Sequence, residues 1–205
     1  MEKRVSSVEL ALFQLGGIHM KILLLIGHSI LKNGNCTSAD GRTKGGCLEY
    51  NWCKAFSKQL KKELENNGHK VKRVVCPEKV FKSKSEENKY KLDIEKAEDY
   101  DLVLELHLNA SDNKTANGTE VIYTSKKGKE YAEAIQKQLS TVFRDRGTKK
   151  REDLYILNQT KAVAVVLETF FCTCKNDYKK ANGEKKRIKL AKLVVNGIDS
   201  VGEEI

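Results

Sequence analysis

The sequence predicts a single α/β domain, and three observations predict it. Short apolar runs suited to covered strands alternate along the chain with longer segments of helical periodicity. At 205 residues the chain is long enough for one well-buried core and short for two. One proline, 14 glycines and 40% apolar content fit a folded protein, and no internal repeat or interdomain linker interrupts the pattern.

Taken in order, residues 1–19 read as an extension, from an upstream start or added for expression, ahead of a domain at 20–205. The basic start Met1-Glu2-Lys3-Arg4 leads into an apolar run broken by Glu9 and Gln14. No small-residue cleavage pattern follows, so the chain is expected to be made in the cytoplasm without a signal peptide. Met20–Ile26 is apolar except at Lys21, as a strand covered on both faces should be, and it ends in Gly27-His28-Ser29. The polar loop from about Lys32 to Gly46 is long for a compact domain, which points to function. Leu48–Asn67 has the strongest helical period, through Leu48, Trp52, Ala55, Phe56, Leu60 and Leu64, with Gly68 just past its end. Glu49 falls in its first turn, where a carboxylate either complements the helix dipole or serves a site. His69–Val75 reads as a second strand ended by Cys76-Pro77. Lys82–Asp99 is heavily charged, helical from about Glu86, and carries little information.

Asp101–Ser111 is the next strand and the most unusual. Leu102, Leu104, Leu106 and Leu108 share one face; Val103, Glu105, His107 and Asn109 share the other. A carboxylate, an imidazole and an amide on one strand face are not ordinary core. Gly118–Thr124 reads as a further strand. Lys126–Arg144 reads as a helix with Tyr131, Ile135, Leu139 and Val142 inward, and Leu154–Leu157 as a short extended piece. Ala162–Leu167 is the last buried strand, ended by Glu168, and Lys185–Ile198 the closing helix.

The net charge is +10, from 38 Lys/Arg against 28 Asp/Glu. That balance favours polyanions in general, whether nucleic acid, anionic lipid or an acidic cell wall. No aromatic-rich strand is interleaved with the lysines, as a single-strand nucleic-acid surface requires, so solvated helix faces explain most of them. No run of about 18 apolar residues occurs, so no membrane insertion is expected. The six cysteines form no Cys-x-x-Cys pair and read as free thiols in a reducing compartment.

Three strand ends and one helix start thus offer His28, His107, Glu168 and Glu49. Parallel strands of an open sheet bring their carboxyl ends to one edge. Two imidazoles and a carboxylate suit a catalytic zinc with an open fourth position, and a further carboxylate suits the proton shuttle such chemistry needs. Their wide spacing is by itself a weak signal. His19 lies in the extension and His69 opens an edge-like strand, so neither is a candidate.

Gly27-His28-Ser29, Glu49 at a helix start, Glu105-Leu106-His107-Leu108-Asn109-Ala110 and Leu167-Glu168-Thr169-Phe170 resemble the ordered motifs of the zinc-dependent N-acetylmuramoyl-L-alanine amidases. These are cell-wall hydrolases of bacteria and their phages. The likeness spans about Met20 to Val201 and is strongest to catalytic domains of phage endolysins from clostridia and related Gram-positive hosts. It implies a mixed, mostly parallel sheet of about six strands flanked by helices. It also implies one zinc per chain held by His28, Glu49 and His107, with Glu168 catalytic and peptidoglycan as substrate. Many members carry Asp-Pro-Gly-His-Gly at the first ligand, where this chain has Leu25-Ile26-Gly27-His28-Ser29, a difference of loop shape that keeps the ligand. Two side chains stay open. Glu105 either orients His107 from behind or pairs with a neighbouring lysine, and Asn109 either fixes the turn after the ligand or binds the peptide stem. Anionic wall polymers are possible partners for the positive charge. Two rival functions remain on sequence grounds: a zinc metallopeptidase acting on stem peptides, and a basic nucleic-acid-binding protein without catalysis.

Overall fold

The computed structural model describes residues 19–202; the expected extension at 1–19 lies, but for His19, outside the described residues. Six strands form one sheet in the order β2-β1-β3-β6-β4-β5, from β1 (Lys21–Ile26), β2 (Lys70–Val74), β3 (Leu102–Asn109), β4 (Thr119–Tyr123), β5 (Asp145–Lys150) and β6 (Val163–Phe171). Every neighbouring pair is parallel except β4 with β6, so the sheet is mixed and mostly parallel, as expected. Six helices flank it: α1 (Glu49–Asn66), α2 (Lys84–Lys96), α3 (Lys126–Leu139), α4 (Tyr155–Gln159), α5 (Lys175–Ala181) and α6 (Glu184–Gly202).

The alternation of β3 sorts the layers. Leu102, Leu104, Leu106 and Leu108 point into the larger core, where Phe56 and Leu60 of α1, Ile135 of α3 and Val194 of α6 meet them. Val103 points into the smaller core, roofed by Leu92 of α2 and by Ile156 and Leu157 of α4. Glu105 and His107 continue that second face toward the carboxyl end of the strand. β1, β3 and β6 run parallel in register, so their carboxyl ends share one edge, and His107 stands opposite Glu168 there.

Several elements differ from the sequence reading. Leu154–Leu157 is not extended: Leu154 precedes the short helix α4. Ile156 and Leu157 are both buried in the same core, and a strand would send adjacent side chains to opposite faces, whereas a helical turn buries both. β6 does not end at Glu168 but continues through Thr169, Phe170 and Phe171, all buried, across an irregular register with β3. α3 stops at Leu139, with Ser140 as its C-cap, so Val142 packs from a turn and not from the helix. β5, Asp-Arg-Gly-Thr-Lys-Lys, has no hydrophobic pattern because it is an edge strand facing solvent. α5 is equally polar and was not legible. The loop after β1 is ordered by a short 3-10 turn at Arg42–Lys44 and by isolated bridges joining Ile30 to Cys36 and Asp40 to Leu48. All six cysteines are free. No helix among the described residues is long and apolar enough to cross a membrane.

Candidate metal centre

β1 ends at Ile26, and the two residues after it build the first wall of the site. Gly27 lies so close to the His107 ring that a Cβ there would sit 1.9 Å from the imidazole carbon Cε1. Only glycine lets β1 admit that ring. His28 follows, its ring edge-on to His107 with centroids 4.8 Å apart. Glu49 enters from the first turn of α1, a buried carboxylate whose two oxygens are both committed. Oε2 accepts from the Ala39 backbone N–H at 2.9 Å, and Oε1 accepts from Leu108 N–H at 3.0 Å.

The same Oε1 lies 3.1 Å from His28 Nε2 and 3.2 Å from His107 Nδ1, and those two nitrogens are 3.1 Å apart. Donors bound tetrahedrally to zinc at about 2.0–2.1 Å stand about 3.3 Å from one another, so this near-equilateral triangle fits three corners of such a site. Among the described residues these three form the group of His, Cys, Asp or Glu side chains that can hold a metal ion. Two imidazoles and one carboxylate leave one tetrahedral corner for water or substrate.

Electrostatics agree with the geometry. On the protein's own charges, burial would raise the Glu49 carboxyl, but hydrogen bonding to His107 and His28 outweighs it and holds the group below its ordinary value. Burial would lower the His107 imidazole, yet the Glu105 and Glu49 carboxylates push it up to about 10. Such a concentration of negative charge and basic nitrogen is what a divalent cation relieves.

Glu168, on β6, lines the same cavity of about 200 Å3 as His28, Glu105 and His107, together with Asn88 and Tyr155. Its carboxyl is pushed up to about 7 by burial, against the pull of His107. Its Oε2 is buried and bonds to no protein group. A carboxylate with a free oxygen and a proton exchangeable near neutral pH can shuttle protons.

The two open residues resolve differently. Glu105 lies within reach of both groups weighed for it: Oε2 is 3.5 Å from His107 Nε2, while Oε1 is ion-paired with the buried Lys91. Burial would raise its carboxyl, but Lys91 and His107 bring it down to about 2. Asn109 does not fix the turn through its side chain, whose Nδ2 is buried and unpartnered; its backbone carbonyl accepts from Cys172 N–H at 2.7 Å instead. His69 packs far from the centre against Asp199, at 2.8 Å, and accepts from Met20 N–H.

Sequence reasoning missed the contribution of α2. Glu87, Lys91 and Glu95 are buried. Glu87 accepts from Ser29 Oγ and from Thr37 Oγ1, and Thr37 Oγ1 lies 3.4 Å from His28 Nδ1. The readable signal was a shortage: Tyr90, Leu92 and Ile94 are too few to cover an amphipathic face, so charged residues must share it.

Comparisons with known proteins agree with this architecture. A family model described as N-acetylmuramoyl-L-alanine amidase matches residues 22–200. Among curated relatives, the amidase LytC of Bacillus subtilis is 33% identical over 47% of this chain and 21% of that protein. An uncharacterised 38.4 kDa protein of Clostridium perfringens is 29% identical over 91% and 53%. The chain thus spans about half, or less, of the curated relatives it matches. The catalytic domain of the CD27L endolysin, which targets Clostridia difficile, superposes with a TM-score of 0.81 at 48% identity, covering 88% of this chain and 97% of that one. An N-acetylmuramoyl-L-alanine amidase from Clostridium difficile 630 shares the fold at 23% identity, with a TM-score of 0.76 over 91% and 99%. With 179 of its residues (22 to 200) matched by the family model, the chain belongs to the N-acetylmuramoyl-L-alanine amidase family of enzymes.

Proposed function

We propose that this chain is a zinc-dependent amidase that hydrolyses the bond between N-acetylmuramic acid and L-alanine of peptidoglycan, as the catalytic part of a phage endolysin. The observation that carries the reading is the triangle of His28, Glu49 and His107 donor atoms, with Glu168 lining the same cavity as the two histidines. The endolysin assignment leans on the 48% identity to an endolysin catalytic domain. Its place of action is then the cell wall, after release from the cytoplasm, with anionic wall polymers as accessory partners.

His28 Nε2, Glu49 Oε1 and His107 Nδ1 would hold the zinc, one per chain. Zinc bound there would supply Lewis acidity, making water a nucleophile near neutral pH and polarising the scissile carbonyl. The rest is the work of side chains. Ala39 and Leu108 N–H groups hold the Glu49 carboxylate in the orientation that places Oε1 beside both rings. Glu168 takes the proton of the attacking water and delivers it to the departing alanine nitrogen.

The test is turbidity loss of purified cell walls with and without chelator, then with zinc restored, followed by analysis of the new amines. The expected result is chelator-sensitive, zinc-restored lysis that frees the L-alanine amine on intact stem peptides. Release of single terminal amino acids would instead favour a metallopeptidase. Separately, His28→Ala, Glu49→Ala and His107→Ala should each lose zinc and lysis together, because two protein ligands retain little affinity; a His107→Ala chain that keeps one zinc and lyses walls would refute the ligand set.

A further inference from the structure

A metal-bound histidine almost always donates its outer ring N–H to a carboxylate, a carbonyl or water, which fixes its tautomer and its orientation. In this centre the inner nitrogens differ: His28 offers Nε2 and His107 offers Nδ1. The outer nitrogens are then His28 Nδ1 and His107 Nε2, and both lead to one helix. His107 Nε2 faces Glu105 Oε2 at 3.5 Å, and the other oxygen of Glu105 is held by Lys91. Lys91 Nζ also donates to the Gly27 carbonyl at 3.2 Å, tying down the peptide that precedes His28. His28 Nδ1 faces Thr37 Oγ1 at 3.4 Å, and that hydroxyl donates to Glu87 Oε2 at 3.3 Å. Glu87 and Lys91 are 1% and 2% exposed.

We propose that Glu87 and Lys91, four residues apart on α2, are positioning residues for the metal centre: Lys91 acts on His107 through Glu105, and Glu87 acts on His28 through Thr37. The inference rests on the zinc reading above. Residues four apart lie on one face of a helix, so a single helix reaches behind both ligands. Burying an ammonium and two carboxylates costs desolvation that an apolar residue of similar volume avoids, so packing alone does not call for these charges. A purely structural ion pair would satisfy Glu105 with Lys91 and leave its second oxygen to solvent or backbone. Here that oxygen faces a ligand imidazole.

The test measures zinc, not lysis. Zinc dissociation constants come from competition with a chromophoric chelator for the wild type, Lys91→Met, Glu105→Gln, Glu87→Gln and the Lys91→Met/Glu105→Gln and Glu87→Gln/Glu105→Gln double variants. Visible spectra of the cobalt(II)-substituted proteins report ligand geometry, and the melting temperature of each chelated protein reports the fold. Loss of an outer partner typically weakens metal binding about 10- to 100-fold, and that loss is expected for each single variant, with an altered cobalt spectrum. Because Lys91 acts through Glu105, adding Lys91→Met to Glu105→Gln should weaken zinc less than about twofold more. The Lys91→Met/Glu105→Gln double variant removes both charges of the Lys91–Glu105 pair together, so it keeps the comparison sound if Lys91→Met alone folds poorly. Glu87→Gln acts on the other ring, so its loss should multiply with that of Glu105→Gln. Zinc affinity and cobalt spectrum unchanged in Lys91→Met, with only the melting temperature lowered, would reduce Lys91 to a structural partner and overturn the proposal. So would losses that multiply in the Lys91→Met/Glu105→Gln chain. A wild type that takes up no zinc would overturn the metal centre itself and this role with it.

Discussion

Glu168 stands opposite His107 in the β3–β6 register, with one oxygen buried and unpartnered. Glu168→Gln keeps its shape and removes the titrating oxygen, so fold and zinc content should survive while turnover falls about a hundred- to ten-thousand-fold. Glu105→Gln is the comparison, with an expected loss of roughly ten- to a hundredfold in activity or zinc affinity. Wall lysis and bound zinc, measured for both at matched concentration, separate the roles. If Glu168→Gln lyses walls normally while Glu105→Gln is inactive with its zinc in place, the two are interchanged. The raised Glu168 carboxyl has a second consequence. Its folded pKa of about 7 exceeds the ordinary 4.5, so the fold holds this proton more tightly than the unfolded chain does. The stabilisation is present at low pH and is lost as pH rises from 4.5 through about 7. For the chelated protein, the melting temperature of Glu168→Gln relative to wild type should therefore rise across that interval and level off above it. A difference independent of pH would mean that the carboxyl is not raised.

At the scale of elements, the contact of β1 with β3 is set by one missing side chain. Gly27→Ala would drive a methyl into the His107 ring, with overlaps of 1.9 and 2.0 Å that no rotamer of alanine relieves. The ring must move, and the donor triangle moves with it. We expect the far-ultraviolet circular dichroism of Gly27→Ala to match wild type while zinc affinity falls at least tenfold, as for a lost outer partner. Unchanged affinity would show that the His107 ring has room to retreat. The strands that carry the site were legible because β1, β3 and β6 are covered on both faces, and near-continuous apolar runs announce that. The polar edge strand β5 and helix α5 bury too little to leave a pattern, and α2 misled because its buried face is charged.

At the scale of the molecule, the +10 charge is spread over a surface where many lysines already sit in exposed ion pairs, such as Lys44 with Asp112 and Lys54 with Glu78. Such pairs contribute little to stability. The excess positive charge instead acts over a distance of about 8–10 Å at ordinary ionic strength and is screened by added salt. If it draws the protein to anionic wall polymers, raising salt should slow lysis of whole walls much more than cleavage of a short soluble muropeptide. Equal salt sensitivity for the two substrates would leave the lysines as solubility residues.

The sequence by itself determined the α/β class and singled out His28, Glu49, His107 and Glu168 as candidates at or near strand and helix ends, since periodicity is a local property. Which atoms meet was decided only by tertiary structure. Residues 28, 49 and 107 are far apart in the chain, and the parallel register and the entry of α1 set their donors 3.1–3.2 Å apart. The same holds behind the ligands. Whether Glu105 orients His107 or pairs with a lysine was undecidable along the chain, because Lys91 lies 14 residues away on another element. In three dimensions each Glu105 oxygen faces one of the two partners, Oε1 the Lys91 ammonium and Oε2 the His107 ring.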